Sequence, residues 1–336
     1  MSGGVAAVLL RLGGVLVLAV TLADVFLTVL FPASGHGPLR RPLSRGIWWC
    51  FRTVARRLSR QRRRSFLAYC GPVQVALSIA VWPLLLVTGW AMVYRPALGT
   101  GLVASSGGTA RTWVNAVYVS SFSLTTLGTG DVVPTTGLYR VLIVLEAAIG
   151  FSVVTMVVTY FLSVYNAITQ RKTFAAGLHH RTCRTGDSIR LIAGLGGQGG
   201  TSAVVGQLSS TGEVLERMFQ THESYPVLRW FHYRQVRYAL PHILLVVLDA
   251  AALTASALDV GRGPAGEIPA VVLVDGAAQD LLRELVPEAF HERPGAEDEA
   301  ALRRRFADAV TAFGQAGLPV REDPQAVEEY LCRRGE

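Results

Sequence analysis

The chain has 336 residues, 51% of them hydrophobic, with a mean hydropathy of +0.37. That is too apolar for an ordinary soluble protein and points to a membrane portion joined to an aqueous portion. Only three acids (Asp24, Asp131, Glu146) precede Lys172, and the other 21 of the 24 follow it. The net charge of +8 is therefore not a nucleic-acid signal. Its basic excess lies between apolar segments, where it acts as a topology signal and attracts anionic lipid.

In chain order, three runs are long enough for the roughly 30 Å hydrocarbon core, which needs about 20 helical residues. They are Val5–Phe31, Phe66–Tyr94 and Leu138–Ile168. A cleaved signal peptide is the rival reading of the first run, but the run is long for one and the arginines beyond it oppose translocation. Pro72 and Pro83 interrupt the second run, which in a membrane helix predicts a kink.

Ten arginines (40, 41, 45, 52, 56, 57, 60, 62, 63, 64) separate the first two runs, with no acid among them. Under the positive-inside rule this loop stays in the cytoplasm, which puts the N-terminus and Pro96–Gly137 outside and the C-terminus inside. The arginines interleave with Trp48, Trp49, Phe51, Val54 and Leu58. That pattern predicts an amphipathic helix on an anionic inner leaflet. A voltage sensor would need arginines at every third position of an apolar span.

Past the second run, Gly99–Thr112 reads as an exposed loop. Trp113–Leu124 is apolar but too short to span. The polar stretch Thr125–Asp131 and then the third long run follow it. A half-span, a glycine-containing strand and a full span are the arrangement of a re-entrant pore loop, because irregular backbone at membrane depth must line an aqueous path. Carbonyls can replace the water of a bare cation if a strand turns them to one side, and glycines at 128 and 130 allow that. Thr126 adds a hydroxyl.

Thr126–Asp131 resembles the potassium-channel signature T-V-G-Y-G-D. The run from Phe66 to Ile168 resembles the outer helix, pore helix, filter and inner helix of the two-helix bacterial potassium channels. The resemblance implies a filter of Thr126, Leu127, Gly128, Thr129 and Gly130, with K+ held at the carbonyls of the first four. It also implies support from Thr125, Asp131 and Tyr118, a conserved-type proline at Pro134, and a gating hinge at Gly150. Four chains must surround one such pore, so a homotetramer is implied. Two departures bear on selectivity: Leu127 and Thr129 replace the family's valine and tyrosine, and Phe122 stands where an acid often pairs with the filter aspartate. A weakly selective cation channel and a non-conducting sensor or scaffold therefore stay open beside a potassium-selective channel.

Glu146 sits one turn before Gly150, and an unpaired charge there is costly. A hydrogen bond behind the filter, to Thr125 or Ser123, is expected, with a cavity-lining cation site as the alternative. Helical spacing places Gly150, Phe151, Val154, Val158 and Leu162 on one face, the expected pore lining and hydrophobic gate.

After Ile168 the chain reads as a mostly helical domain, with helices over Thr211–Gln220, Tyr233–Asp259, Ala277–Leu285, Glu297–Phe313 and Pro324–Arg334. Caps are expected at Ser210 or Thr211 and at Asp323, and short strands at Ile189–Ala193 and Ile268–Val274. Gly194–Gly199 satisfies G-x-G-x-x-G, but no acidic strand end and no repeated βαβ units follow, so a flexible hinge is expected before a nucleotide site. Leu240–Leu258 approaches spanning length, yet His242 and Asp249 favour a buried soluble helix. Glu223–Leu240 resembles the C-terminal region of some bacterial two-helix-type channels. His179 and His180 near Cys183 diverge on a helix and do not suggest metal. Cys50, Cys70, Cys183 and Cys332 lack ligand or disulfide spacing and read as reduced thiols.

The expected architecture is an all-α membrane protein with three transmembrane helices plus a re-entrant pore helix and filter per subunit. Its parts are an N-terminal helix (1–34), a basic interfacial segment (35–65), a pore domain (66–168, with helices 66–94 and 138–168 around the pore loop 113–131) and a cytoplasmic domain (169–336). Such a protein is not an enzyme. It needs no cofactor beyond the permeant ion and takes itself and membrane lipid as partners, in the plasma membrane.

Overall fold

The computed structural model describes residues 2–30, 39–231, 233, 235–261, 267–285 and 299–335. These residues are predominantly helical and fall into two compact units, Met1–Tyr165 and Asn166–Glu336. Among the described residues, four helices are long and apolar enough to cross a membrane. The protein is an all-α membrane protein.

In the first unit, α1 (Ser2–Val25) ends in a π-helical turn, Phe26–Leu30. It packs against α4 (Cys70–Tyr94) at a crossing built from glycine. A β-carbon on Gly14 would lie 2.6 Å from the Gly89 carbonyl oxygen, and one on Gly89 would lie 2.8 Å from Leu18. Between the two spans come the basic helix α2 (Arg40–Ala55) and the short α3 (Arg60–Leu67). The expected second span, Phe66–Tyr94, lies within the apolar stretch Ser65–Ala97, with a short break between α3 and α4 at 68–69. Pro72 falls in the first turn of α4, where a missing N–H is harmless, and Pro83 lies inside a helix that continues past it.

Asp24, inside the first span, is buried and fully engaged: Trp82 Nε1 and the Leu39 N–H each donate to its carboxylate at 2.8 Å. The start of α2 is thereby tied to both spans. Along α2, Ile47 and Ala55 are buried and Trp48 and Phe51 half-buried, while Arg45, Arg52, Arg56 and Arg57 are exposed. Trp49 and Val54, expected on the apolar side, stand exposed with the arginines.

A two-stranded antiparallel pair, β1 (Leu102–Ala104) with β2 (Val132–Pro134), frames α5 (Trp113–Leu124). Arg95 stacks over the Trp113 ring at 4.4 Å. One helix, α6, then runs from Gly137 to Arg181, 13 residues beyond the expected end at Ile168. Residues 169–178 hold no proline and one glycine, and His179, His180 and Arg181 complement the dipole at the helix end. The helix stops where Cys183 and Arg184 adopt positive φ.

The second unit contains α7 (Ser188–Ser224), α8 (Leu240–Ala257), α9 (Pro269–Leu285), α10 (Glu299–Gln315) and α11 (Pro324–Gly335). The two strands expected at Ile189–Ala193 and Ile268–Val274 are absent: the first lies inside α7, and all of the second but Ile268 lies inside α9. Short apolar runs of that kind suit a buried helix as well as a strand, and length decides. Ser210 and Thr211 lie inside α7, not at a cap. Asp323 does cap α11, its carboxylate accepting the Ala326 N–H at 2.9 Å. α8 begins at Leu240 rather than Tyr233, and 78% of its most apolar window is buried. Its Asp249 accepts from Ser188, from Tyr330 at 2.9 Å and from Arg305 at 2.6 Å, so the acid within the apolar run is the centre of a buried polar network. The four cysteines are free thiols.

Candidate functional site: the loop between α5 and α6

Thr112 caps α5 by accepting the Asn115 N–H at 3.2 Å, and Asn115 Nδ2 donates to the Ala110 carbonyl. At the other end the chain does not unwind at once. Thr125, Thr126 and Leu127 donate their N–H groups to the carbonyls of Ser121, Ser123 and Phe122. From there alternate residues adopt left-handed backbone: Thr126 (φ 56°), Gly128 (φ 61°) and Gly130 (φ 74°). Nothing lies within 4 Å of a β-carbon built on either glycine, so the dihedral, not crowding, requires glycine there. Thr126 holds the same conformation with a branched side chain, at a cost of roughly 1–3 kcal/mol. Every residue from Thr125 to Asp131 is exposed, Leu127 to 71%.

Asp131 ties the loop to α5. Tyr118 Oη donates to one carboxylate oxygen at 2.9 Å and Thr129 Oγ1 to the other at 2.7 Å. These hydroxyls hold the Asp131 carboxyl below the usual carboxylate range, Thr129 contributing most. Phe122, which cannot pair with the aspartate, packs edge-on against Tyr118 with centroids 5.3 Å apart. Thr129 thus reaches Tyr118 indirectly, through the carboxylate between them. The Asp131 carbonyl accepts from the Ser105 N–H at 2.8 Å, which fastens the loop end to the β1 side.

Behind the loop, Glu146 is fully buried on α6. Its partner is neither Thr125 nor Ser123 but Ser120, whose Oγ donates to Oε1 at 2.6 Å. Thr125 donates instead to the Ser121 carbonyl, Ser123 Oγ is buried without a hydrogen-bond partner among the described residues, and the Tyr94 hydroxyl lies beside the Glu146 carboxylate. Ser120 lies one turn nearer the start of α5 and faces α6, which spacing along one helix does not reveal. Gly150 is ordinary helix, and a β-carbon there would overlap the Leu124 carbonyl oxygen. Its role in this conformation is close packing against the end of α5.

Further along α6, Phe151, Val154, Val158 and Leu162 are all about half exposed or more. Sequence reasoning passed over the hydroxyls beside them. Ser152, Thr155, Thr159 and Ser163 each donate to the carbonyl four residues earlier, at 2.8–3.0 Å. Their polarity is satisfied within the helix, so the face they form tolerates lipid, protein or water. No group of His, Cys, Asp and Glu able to hold a metal occurs among the described residues. Of Gly194–Gly199, residues 194–198 lie within the helical first arm of α7, and the chain bends at Gly199–Gly200, where a hinge is expected and Gly200 has φ 65°.

A short apolar helix, an exposed loop of alternating handedness and a long apolar helix thus follow one another in a membrane protein. Residues 81–167, which contain all three, match the family model described as "Ion channel". A Bacillus subtilis (strain 168) protein described as "Uncharacterized membrane protein YdjJ" is 27% identical over 243 residues, covering 71% of this chain and 67% of that relative. No solved structure matches.

Proposed function

We propose that the chain is one subunit of a homotetrameric potassium channel, with Thr126–Gly130 as its filter. The observation that carries this reading is the alternation of left-handed backbone at Thr126, Gly128 and Gly130, immediately after α5 and inside the ion-channel match. Alternating handedness turns successive carbonyls to one side, and four such strands around an axis supply the oxygens that replace a cation's water. Potassium binds at the carbonyls of Thr126, Leu127, Gly128 and Thr129. Thr125, Tyr118, Asp131 and Glu146 hold the strand in place. Phe151, Val154, Val158 and Leu162 line the cavity beneath it, with the last two closing it by dewetting.

The ten arginines before α4 set the N-terminus outside and the C-terminus in the cytoplasm of a plasma-membrane protein, and bind anionic lipid through α2. Ions flow passively, without bond chemistry or a cofactor.

The test is the reversal potential of the purified protein in a bilayer with potassium on one side and sodium on the other. A strongly potassium-selective potential is expected. A value near zero replaces potassium selectivity with a weakly selective cation pore, the reading favoured by a threonine at 129. Absence of current under every condition leaves a membrane sensor or scaffold.

A further inference from the structure

The second unit forms a partly open cavity of about 400 Å³ between the last turns of α6, both arms of α7 and the middle of α8. Its walls are largely aliphatic, with Leu178, Leu191, Leu195, Val204 and Val247 among them. A largely aliphatic concavity of this size lies within the range of small-molecule sites. The bend at Gly199–Gly200 creates it, because residues on both sides of the bend line the same space.

The lining has one charged side chain, Arg181. Arg181 is exposed, and among the described residues it makes no ion pair or hydrogen bond. Most other arginines of this unit are engaged. Arg303, Arg305, Arg321 and Arg333 all pair with carboxylates, and Arg171 donates to the Phe231 carbonyl. A free guanidinium on an apolar cavity matches one kind of molecule: an apolar chain with an anionic head. Thr173, Gln207 and Ser210 add hydrogen-bonding groups to the lining.

We propose that this cavity binds a free fatty-acid anion, its carboxylate on Arg181 and its chain between the arms of α7. The space is too small for a two-chain lipid. A single acyl chain of about ten carbons suits a site at the lower end of the usual ligand-pocket range. The site stands on the second unit alone and does not depend on which ion the protein passes.

The test uses the full chain in lipid nanodiscs and a decanoate probe carrying a photoreactive diazirine near its methyl end. After illumination, labelled peptides are mapped. Labelling is expected within 191–214 and 247–250, in addition to any labelling of the spans. Arg181→Gln should raise the half-saturating concentration about tenfold, and Leu195→Trp, which fills the cavity, should remove the α7 label. The matching decanol probe should label α7 no better than Arg181→Gln does. Label confined to the membrane spans overturns the proposal, as does equal α7 labelling by decanoate and decanol. If Leu195→Trp changes the oligomer size and leaves labelling intact, the space is an interface between copies and the proposal fails. Arg181 is exposed, so its substitution keeps the test valid should Leu195→Trp not fold.

Discussion

The carbonyl oxygen of Leu124, the last residue of α5, occupies the space that a β-carbon at position 150 would need. Glycine at this point of α6 serves contact first, since it lets the two helices meet backbone to backbone where the loop begins. Gly150→Ala should therefore destabilise the first unit by about 1–3 kcal/mol, the usual cost of overpacking, and should reduce ion flux. Gly177→Ala, on the same helix with nothing within 4 Å of its β-carbon, should be neutral or gain about 0.5–1 kcal/mol from helix propensity. Thermal unfolding and vesicle flux of both variants check this. A Gly150→Ala protein as stable and conductive as the parent sinks the packing role.

The Asp131 carboxylate links Tyr118 to Thr129, so removing either hydroxyl should loosen the same element. Tyr118→Phe and Thr129→Val should each shift the reversal potential toward zero, and the double variant should shift it little further. The carboxyl is held below its ordinary value, so the bonded form is complete at neutral pH and is lost only as the solution is acidified through that lowered value. Flux should be insensitive to external pH above about 5, where an ordinary Asp is already ionised. In Thr129→Val the acid loss of flux should move to higher pH. Additive shifts in the double variant would separate the two hydroxyls.

Glu146 and Ser120 join α6 to α5. Glu146→Gln keeps an acceptor for Ser120 and should retain most function. Glu146→Leu leaves the buried Ser120 hydroxyl without its partner and should cost about 1–3 kcal/mol. Ser120→Ala combined with Glu146→Leu should recover part of that loss. Thermal unfolding of the purified protein is the readout, and a Glu146→Leu protein as durable as Glu146→Gln would show that the bond carries no stability.

In the second unit His222 is buried, its Nδ1 donating to the Met218 carbonyl at 2.8 Å, and burial with Arg171 and Arg229 nearby pushes its pKa down to about 4. The folded protein thus refuses a proton that the unfolded chain accepts near pH 6.5. Its contribution to stability is complete above about 6.5 and is lost as pH falls toward 4. The loss runs at up to about 1.4 kcal/mol per pH unit and totals about 3 kcal/mol. Protease resistance of residues 166–336 in the full chain should fall over that window. His222→Gln should flatten the fall; an unchanged profile assigns the acid sensitivity elsewhere.

The membrane segments and the pore loop were legible because their signals are local. Apolar runs of spanning length, a half-span, and glycines at 128 and 130 can each be read without knowing any partner. What stayed hidden depends on partners distant in sequence. Glu146 pairs with Ser120, 26 residues away, and neither helix alone says which serine of α5 faces α6. Asp24 reads as a stray charge until Trp82 and Leu39 are beside it. Ile189–Ala193 and Ile268–Val274 look like strands because they are rich in branched residues, and only burial against other helices overrides that preference. Arg181 carries no signal in the sequence, since its interest lies in the cavity it borders.

The tie between Asp24 and the Leu39 amide also fixes a height. Because α2 takes its first anchor from a carboxylate within α1, its start is positioned by the protein itself. The exposed arginines of α2, at 45, 52, 56 and 57, are thereby held at one level along α1 and α4. With α1 and α4 meeting backbone to backbone at Gly14 and Gly89, a displacement of either helix carries the start of α2 with it.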